Sequence, residues 1–168
     1  MIRGEAARDD PQQLRAAYSC FPSGLAAICA LAESSPVGLV ASSFTSVSLN
    51  PPLVSVCIQN SSTTWPLLRG RDHLGVSILA EGQQLQCRAL SLKIGNRFAD
   101  VDWNASAHGA VFVEGSVAWF ECTLHGEVPA GDHLIALLEI HSLQADPEAS
   151  PLVFHASQLR RLAATSST

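Results

Sequence analysis

Asn60-Ser61-Ser62-Thr63-Thr64-Trp65-Pro66 sets four hydroxyl residues in a row ahead of a Trp-Pro pair. The run Leu53–Gln59 before it reads as a strand, and Trp65-Pro66 opens a helix, since proline is tolerated in a first turn. The first N–H groups of a helix lack internal partners and attract anions, and flanking hydroxyls add donors. A phosphate group fits such a place without a Walker lysine. The same hydroxyls also serve as ordinary helix caps, and the motif alone leaves both readings open.

The segment around this motif narrows the chemistry. Between Glu33 and Arg69 lie 35 residues with no Asp, Glu, Lys or Arg. Twelve Ser/Thr and the prolines Pro36, Pro51, Pro52 and Pro66 exclude a membrane span. A flexible linker is excluded as well, because Val37-Gly38-Leu39-Val40 and Leu53-Val54-Ser55-Val56-Cys57-Ile58 have strand character. What remains is a packed strand pair with hydroxyls at its ends. Apolar walls beside hydroxyls and backbone N–H groups suit a large planar ligand with a polar chain.

Other chemistries lack their residues. G-x-x-x-x-G-K-[ST], G-x-G-x-x-G and G-x-S-x-G are absent, which removes nucleotide hydrolysis, a Rossmann cofactor site and a hydrolase elbow. His73, His108, His125, His133, His141 and His155 form no H-E-x-x-H and no Cys/His spacing suited to zinc, so no metal is expected. His125 and His141 fall inside apparent strands and read as structural. Asp132-His133 beside a serine would make a hydrolytic triad, but adjacent residues in extended chain point to opposite faces.

The elements that must position these residues are mostly strands. Asp9-Asp10-Pro11 starts a helix whose apolar face holds Leu14, Ala17 and Tyr18, and Pro22 and Gly24 end it. Strand-like runs follow at 25–32, 37–43, 53–59, 73–79, 111–113, 117–125, 133–143 and 152–155. Helices interrupt them near Trp65–Arg69 and at Gln83 to Leu92, the latter with Leu85, Ala89 and Leu92 on one face. No strand–helix–strand alternation occurs, so a doubly wound parallel sheet is disfavoured and a small antiparallel barrel is expected. The expected domain runs from 11 to 162, with flexible ends at 1–10 and 163–168.

Composition agrees with a ligand- or partner-covered surface. Charged residues make up 15% of the 168, against ~25% in a typical soluble domain. A net charge of −5 argues against nucleic acid or a basic membrane patch as partner. No apolar stretch reaches the ~20 residues of a membrane span, and no signal-peptide pattern opens the chain. Cys20, Cys29, Cys57, Cys87 and Cys122 are odd in number, contain no C-x-x-C and sit in apolar settings. Buried free thiols are expected, and with them a reducing cytoplasm.

The segment from Pro36 to Val54, with its core Ser42-Ser43-Phe44-Thr45-Ser46-Val47-Ser48-Leu49-Asn50-Pro51-Pro52, resembles the signature of the short-chain flavin reductases. These are the reductase components of two-component flavin-dependent monooxygenases. Weaker matches follow in order: Ser77-Ile78-Leu79 with Gln83, Arg97-Phe98, Glu121-Cys122, Gly131-Asp132-His133 and Pro151-Leu152-Val153-Phe154. The resemblance spans roughly residues 14–162. It departs at Val40, where a threonine is usual, and at Ser77, where an asparagine is usual.

The resemblance implies a mostly β fold, the FMN-binding split barrel, a Greek-key antiparallel barrel with a few flanking helices. It implies hydride transfer from NADH or NADPH to FMN or FAD, and delivery of the reduced flavin to a partner monooxygenase. A homodimer is implied as well. By position, Gly38, Leu39, Val40, Ala41, Ser42 and Ser43, with Val47 and Ser48, line the ring and ribityl chain. Cys57, Ile58, Gln59 and Asn60 pass beneath the ring, and Ser61, Ser62, Thr63 and Thr64 hold the phosphate. Arg97 reaches the phosphate or stays solvated. His133 faces the nicotinamide or its pyrophosphate, or merely fixes the turn. The alternatives are a split-barrel flavoprotein that keeps its flavin and acts on an organic substrate, and a flavin-binding electron carrier without turnover.

Overall fold

The computed structural model describes residues 10–163. The flexible ends expected at 1–10 and 163–168 lie outside the described residues, apart from Asp10 and Ala163. Asp10 accepts from the Gln12 N–H and caps α1 (Pro11–Tyr18), as the Asp-Pro pair requires. No residue of α1 is buried: Leu14 of its apolar stripe is half-buried, and Ala17 and Tyr18 are exposed.

Strands β1 (Ser23–Gly24), β2 (Ala26–Ala32), β3 (Ser35–Ala41), β4 (Thr45–Leu49) and β5 (Pro52–Gln59) follow. Then come α2 (Trp65–Leu68), β6 (Leu74–Ile78), α3 (Gln84–Leu90), β7 (Trp103–Ala105) and β8 (Val111–Val113). The long pair β9 (Ala118–Ala130) and β10 (His133–Ala145) precedes β11 (Val153–His155) and β12 (Gln158–Arg160). Seven strands form one antiparallel sheet in the order β3-β2-β6-β9-β10-β5-β4. The sheet curls until Ser43, just past β3, hydrogen-bonds Cys57 of β5. This is the split barrel.

β2 is buried on both faces, which explains its unbroken apolar sequence. Ala26, Ile28 and Ala30 face the barrel interior with Val56, Leu74, Val76 and Leu138. Ala27 and Cys29 face outward, beneath Leu79, Leu90, Val111, Val113 and Leu152. Gly75 lets β8 approach this outer face, since a Cβ there would stand 2.0 Å from the Val111 carbonyl oxygen.

Several expectations are corrected. α3 buries Cys87 and Leu90, and of the expected Leu85/Ala89/Leu92 stripe only Ala89 packs partly against the same cluster, while Leu85 is 76% exposed. The strands β1, β4, β7 and β12 were not expected; they are short, and β4 is a solvent-facing edge. β9 runs on to Ala130, past Gly126 and Pro129. Beyond Cys122 it has lost β6 and pairs only with β10, and such an edge tolerates proline. All five cysteines are free, but only Cys29, Cys87 and Cys122 are buried, while Cys20 and Cys57 are exposed.

Candidate functional site

Two adjoining cavities open where β3, β5 and the loop after β5 meet. The first, about 350 Å³, is lined by Leu39, Val40, Ala41, Ser42, Ser43, Cys57, Ile58, Gln59, Ser62 and His133. The second, about 460 Å³, shares Leu39, Val40, Gln59 and Ser62 and continues along Ser61, Thr63, Thr64, Leu90, Ser91, Lys93 and Arg97. Together they make one trough. A strand wall stands at one end, and hydroxyls and two cations stand at the other. Neither cavity has a carboxylate among its lining residues.

The hydroxyl loop is held from below. Trp65 is buried and donates its indole N–H to Glu127 of β9 at 2.6 Å, and Arg69 pairs with the same carboxylate. The expected α2 is a single turn, and Ser62 caps it by accepting from the Trp65 N–H at 3.1 Å. The capping role therefore falls to Ser62. Thr64 accepts from Arg97 Nη1 at 2.9 Å, and the same nitrogen donates to the Gly38 carbonyl at 2.7 Å. Arg97 is thus a cross-tie between β3 and the loop, not a solvated side chain. The side chains of Ser61 and Thr63 make no hydrogen bond among the described residues and remain available to a ligand.

Gly38 is required by packing rather than by a ligand. A Cβ there would meet Cys29 Sγ at 2.5 Å and the Phe98 ring at 3.1 Å. Its backbone still contributes, because its carbonyl holds Arg97. Val47 sits at the β4 register shift, half exposed, and with Ser48 it lies outside both cavities. Asn60 is also outside them. It clamps the β9–β10 turn, donating its backbone N–H to the Asp132 carbonyl and its side-chain amide to that of Gly131.

That turn corrects the expectation that Asp132 and His133 point apart. Gly131 adopts φ +67 and Asp132 lies in the turn rather than in a strand, so its carboxylate reaches His133 Nδ1 at 2.7 Å. The hydrogen bond to His133, then its charge, holds the Asp132 carboxyl below its usual range. With Nδ1 engaged, Nε2 is the ring nitrogen left for the trough. The other histidines are elsewhere. His73 and His108 stack at 4.6 Å, and His141 meets Thr123 at 2.8 Å. No group of three or more His, Cys, Asp or Glu side chains placed to hold a metal ion occurs among the described residues.

One sequence departure, Ser77, and one matched residue, Gln83, find their reasons. Ser77 is fully buried and accepts from the Val113 N–H at 3.0 Å, tying β8 to the sheet. Gln83 accepts from Ala80 N–H and donates to the Glu114 carbonyl, so it braces the exit of β6. Sequence reasoning missed Leu90, Ser91 and Lys93, which line the trough from α3 and the loop after it. Only a polar face on α3 and an isolated lysine could have signalled them.

The profile of the family described as "Flavin reductase like domain" matches residues 18–163. The chain belongs to the flavin reductase family. It is similar to a Pseudomonas putida "Flavin reductase", 37% identical over 147 residues, covering 87% of this chain and 86% of the relative. A Rhodococcus jostii "Flavin-dependent monooxygenase, reductase subunit HsaB" is 33% identical, covering 89% of this chain and 76% of the relative. Among solved structures, the Streptomyces globisporus NADH:FAD oxidoreductase SgcE6 in complex with NAD and FAD fragments superposes with a TM-score of 0.91. That match has 31% identity and covers 98% of this chain and 100% of the other. No helix among the described residues of this flavin reductase is long and apolar enough to cross a membrane.

Proposed function

We propose that this chain, with residues 11–162 as its domain, is an NAD(P)H:flavin oxidoreductase that supplies reduced flavin to a separate flavin-dependent monooxygenase. The observation that carries the reading is the trough: a strand-walled cavity at His133 that runs into a hydroxyl loop tied to Arg97, with no carboxylate lining either part. Such a lining fits a flat apolar ring system carrying a phosphate at the end of a polyhydroxyl chain. Ser61 and Thr63 would donate to the phosphate and Arg97 would supply its countercharge. A bound flavin supplies the electron-accepting ring, and NADH or NADPH supplies the hydride.

The chain's own work is positional. The strand walls would shield one face of a bound ring from water, and His133 lines the same cavity. Hydride transfer needs donor and acceptor atoms ~3–3.5 Å apart in a stacked geometry, and little proton transfer by the protein. FMN and FAD both satisfy this reading, as do NADH and NADPH.

The homodimer belongs to the same proposal. Tyr18, Phe21, Leu49 and Ile94 are 70–97% exposed, and β4 leaves an open sheet edge near the trough. The deciding experiment is steady-state NADH and NADPH oxidation with added FMN, FAD or riboflavin, followed by transfer of the reduced flavin to an oxygenase across a dialysis membrane. Flavin-independent oxidation, or a yellow protein that never releases its flavin, would overturn the reading.

A further inference from the structure

We infer that Lys93 decides which flavin this chain prefers: its ammonium takes the second phosphate of a flavin dinucleotide, so FAD is held more tightly than FMN. The inference rests on the reductase reading and deepens it. Lys93 is the only lysine in the chain. It stands on the loop after α3, three residues past Leu90, and lines the outer part of the trough beside Ser91. It is exposed and makes no hydrogen bond or ion pair among the described residues.

The two cations of the trough are differently placed. Arg97 is fixed against the hydroxyl loop by Gly38 and Thr64, at the point where a first phosphate would meet Ser61 and Thr63. Lys93 lies on the α3 side of the same cavity, which continues beyond that loop along Leu90 and Ser91. A terminal phosphate monoester concentrates about −1.5 to −2 charges on one group. A pyrophosphate diester instead spreads its charge as one negative charge on each of two successive phosphates. One cation at each of two successive positions matches the second distribution. A ligand ending at its first phosphate would leave the α3 side of the trough empty and Lys93 without an anion. In a chain of net charge −5, two cations facing a cavity free of carboxylates attract anions and little else.

The test measures dissociation constants of riboflavin, FMN and FAD by fluorescence quenching for the natural chain, Lys93→Gln and Lys93→Arg. The natural chain should bind FAD more tightly than FMN. Lys93→Gln should weaken FAD ~10-fold, the scale of one charge-assisted contact, and leave FMN and riboflavin within about twofold. Lys93→Arg should restore most of the FAD affinity. Equal losses for FMN and FAD would place Lys93 at the first phosphate and overturn the inference. Unchanged FAD binding with a raised KM for NADH would assign Lys93 to the nicotinamide dinucleotide and overturn it too. If the natural chain quenches none of the three flavins, the reductase reading itself falls, a result separable from either of these.

Discussion

Ser43 grips Cys57 by both of its backbone polar groups: Oγ accepts the amide N–H at 2.8 Å and donates to the carbonyl at 3.3 Å. The β4–β5 ladder ends with Thr45 opposite Ser55, so the serine hydroxyl stands where the next rung would be. β3 and β5 hold the first and sixth places in the sheet order, and this contact helps bring them together at the trough.

Ser43→Ala should therefore loosen the closure rather than delete a ligand contact. Two exchanged hydrogen bonds amount to ~1–3 kcal/mol, read as a lower urea midpoint. Flavin affinity should fall for riboflavin and FMN alike, because the strand wall moves. A selective loss of FMN would show that the hydroxyl serves the phosphate instead.

Arg97→Ala removes both the cross-tie to Gly38 and Thr64 and the cation beside the hydroxyl loop. FMN binding should weaken by ~10-fold or more, hydrogen bonds to charged groups being worth ~1.5–3 kcal/mol. Riboflavin, which has no phosphate, should lose far less. Isothermal titration with both ligands checks this, and equal losses would remove the phosphate from Arg97.

His133→Ala should raise KM for NADH and lower kcat/KM ~10-fold, one hydrogen bond's worth, with flavin affinity nearly unchanged. The Asp132–His133 hydrogen bond should survive throughout pH 5–8. Because the folded carboxyl is held below its usual range, its contribution is present above the unfolded value of ~3.9 and is lost only as pH falls through the lower folded value. An NMR titration of the Asp132 carboxyl with a midpoint above 4 would contradict this.

The cysteines give a chemical test of the trough. Burial pushes the Cys29 and Cys122 thiols up to about 12 and raises Cys87, so their thiolate fractions at neutral pH are negligible. A disulfide reagent should label Cys20 and Cys57 in the native chain and the remaining three only after denaturation. Saturating flavin should shield Cys57 and leave Cys20 unaffected, because Cys57 alone of the pair lines the trough. Labelling of Cys57 at an unchanged rate would mean that flavin binds elsewhere.

Two glycines should differ in cost. At Gly75 an added Cβ meets the Val111 backbone at 2.0 Å, and a strand cannot step aside cheaply. At Gly38 the nearest atom, at 2.5 Å, is the side-chain sulfur of Cys29, which has a rotamer to change. Overpacking costs ~1–3 kcal/mol and occasionally more, so Gly38→Ala should fall within that range and Gly75→Ala above it. Thermal melts of the two variants decide the order.

Light scattering should give twice 17.8 kDa for the proposed homodimer. A monomer with full flavin turnover would remove the dimer from the proposal.

The barrel was legible in the sequence because short apolar runs at 25–32, 53–59 and 133–143 are separated by turn clusters, with no regular strand–helix–strand alternation between them. The hydroxyl loop was legible for a similar local reason: Ser61 to Thr64 and Trp65-Pro66 are contiguous, so one segment holds both donors and helix start. The α1 cap was legible from Asp10-Pro11 alone. Local chemistry of this kind is written in neighbouring residues.

What only the tertiary structure decided depends on partners far apart in the chain. Arg97 reads as any loop arginine until β3 and the loop after β5 bring Gly38 and Thr64 to the same nitrogen. Asp132 reaches His133 only because the Gly131 backbone turns with φ +67, which residue spacing in an extended strand does not foresee. α3 buries Cys87 and Leu90 and leaves Leu85 and Leu92 exposed, since the outer core on β2 chooses which side of the helix it meets. Lys93 shows the same limit most plainly. A lone lysine in a loop carries no signal, and it becomes a cation of the trough only when α3 is packed against the barrel.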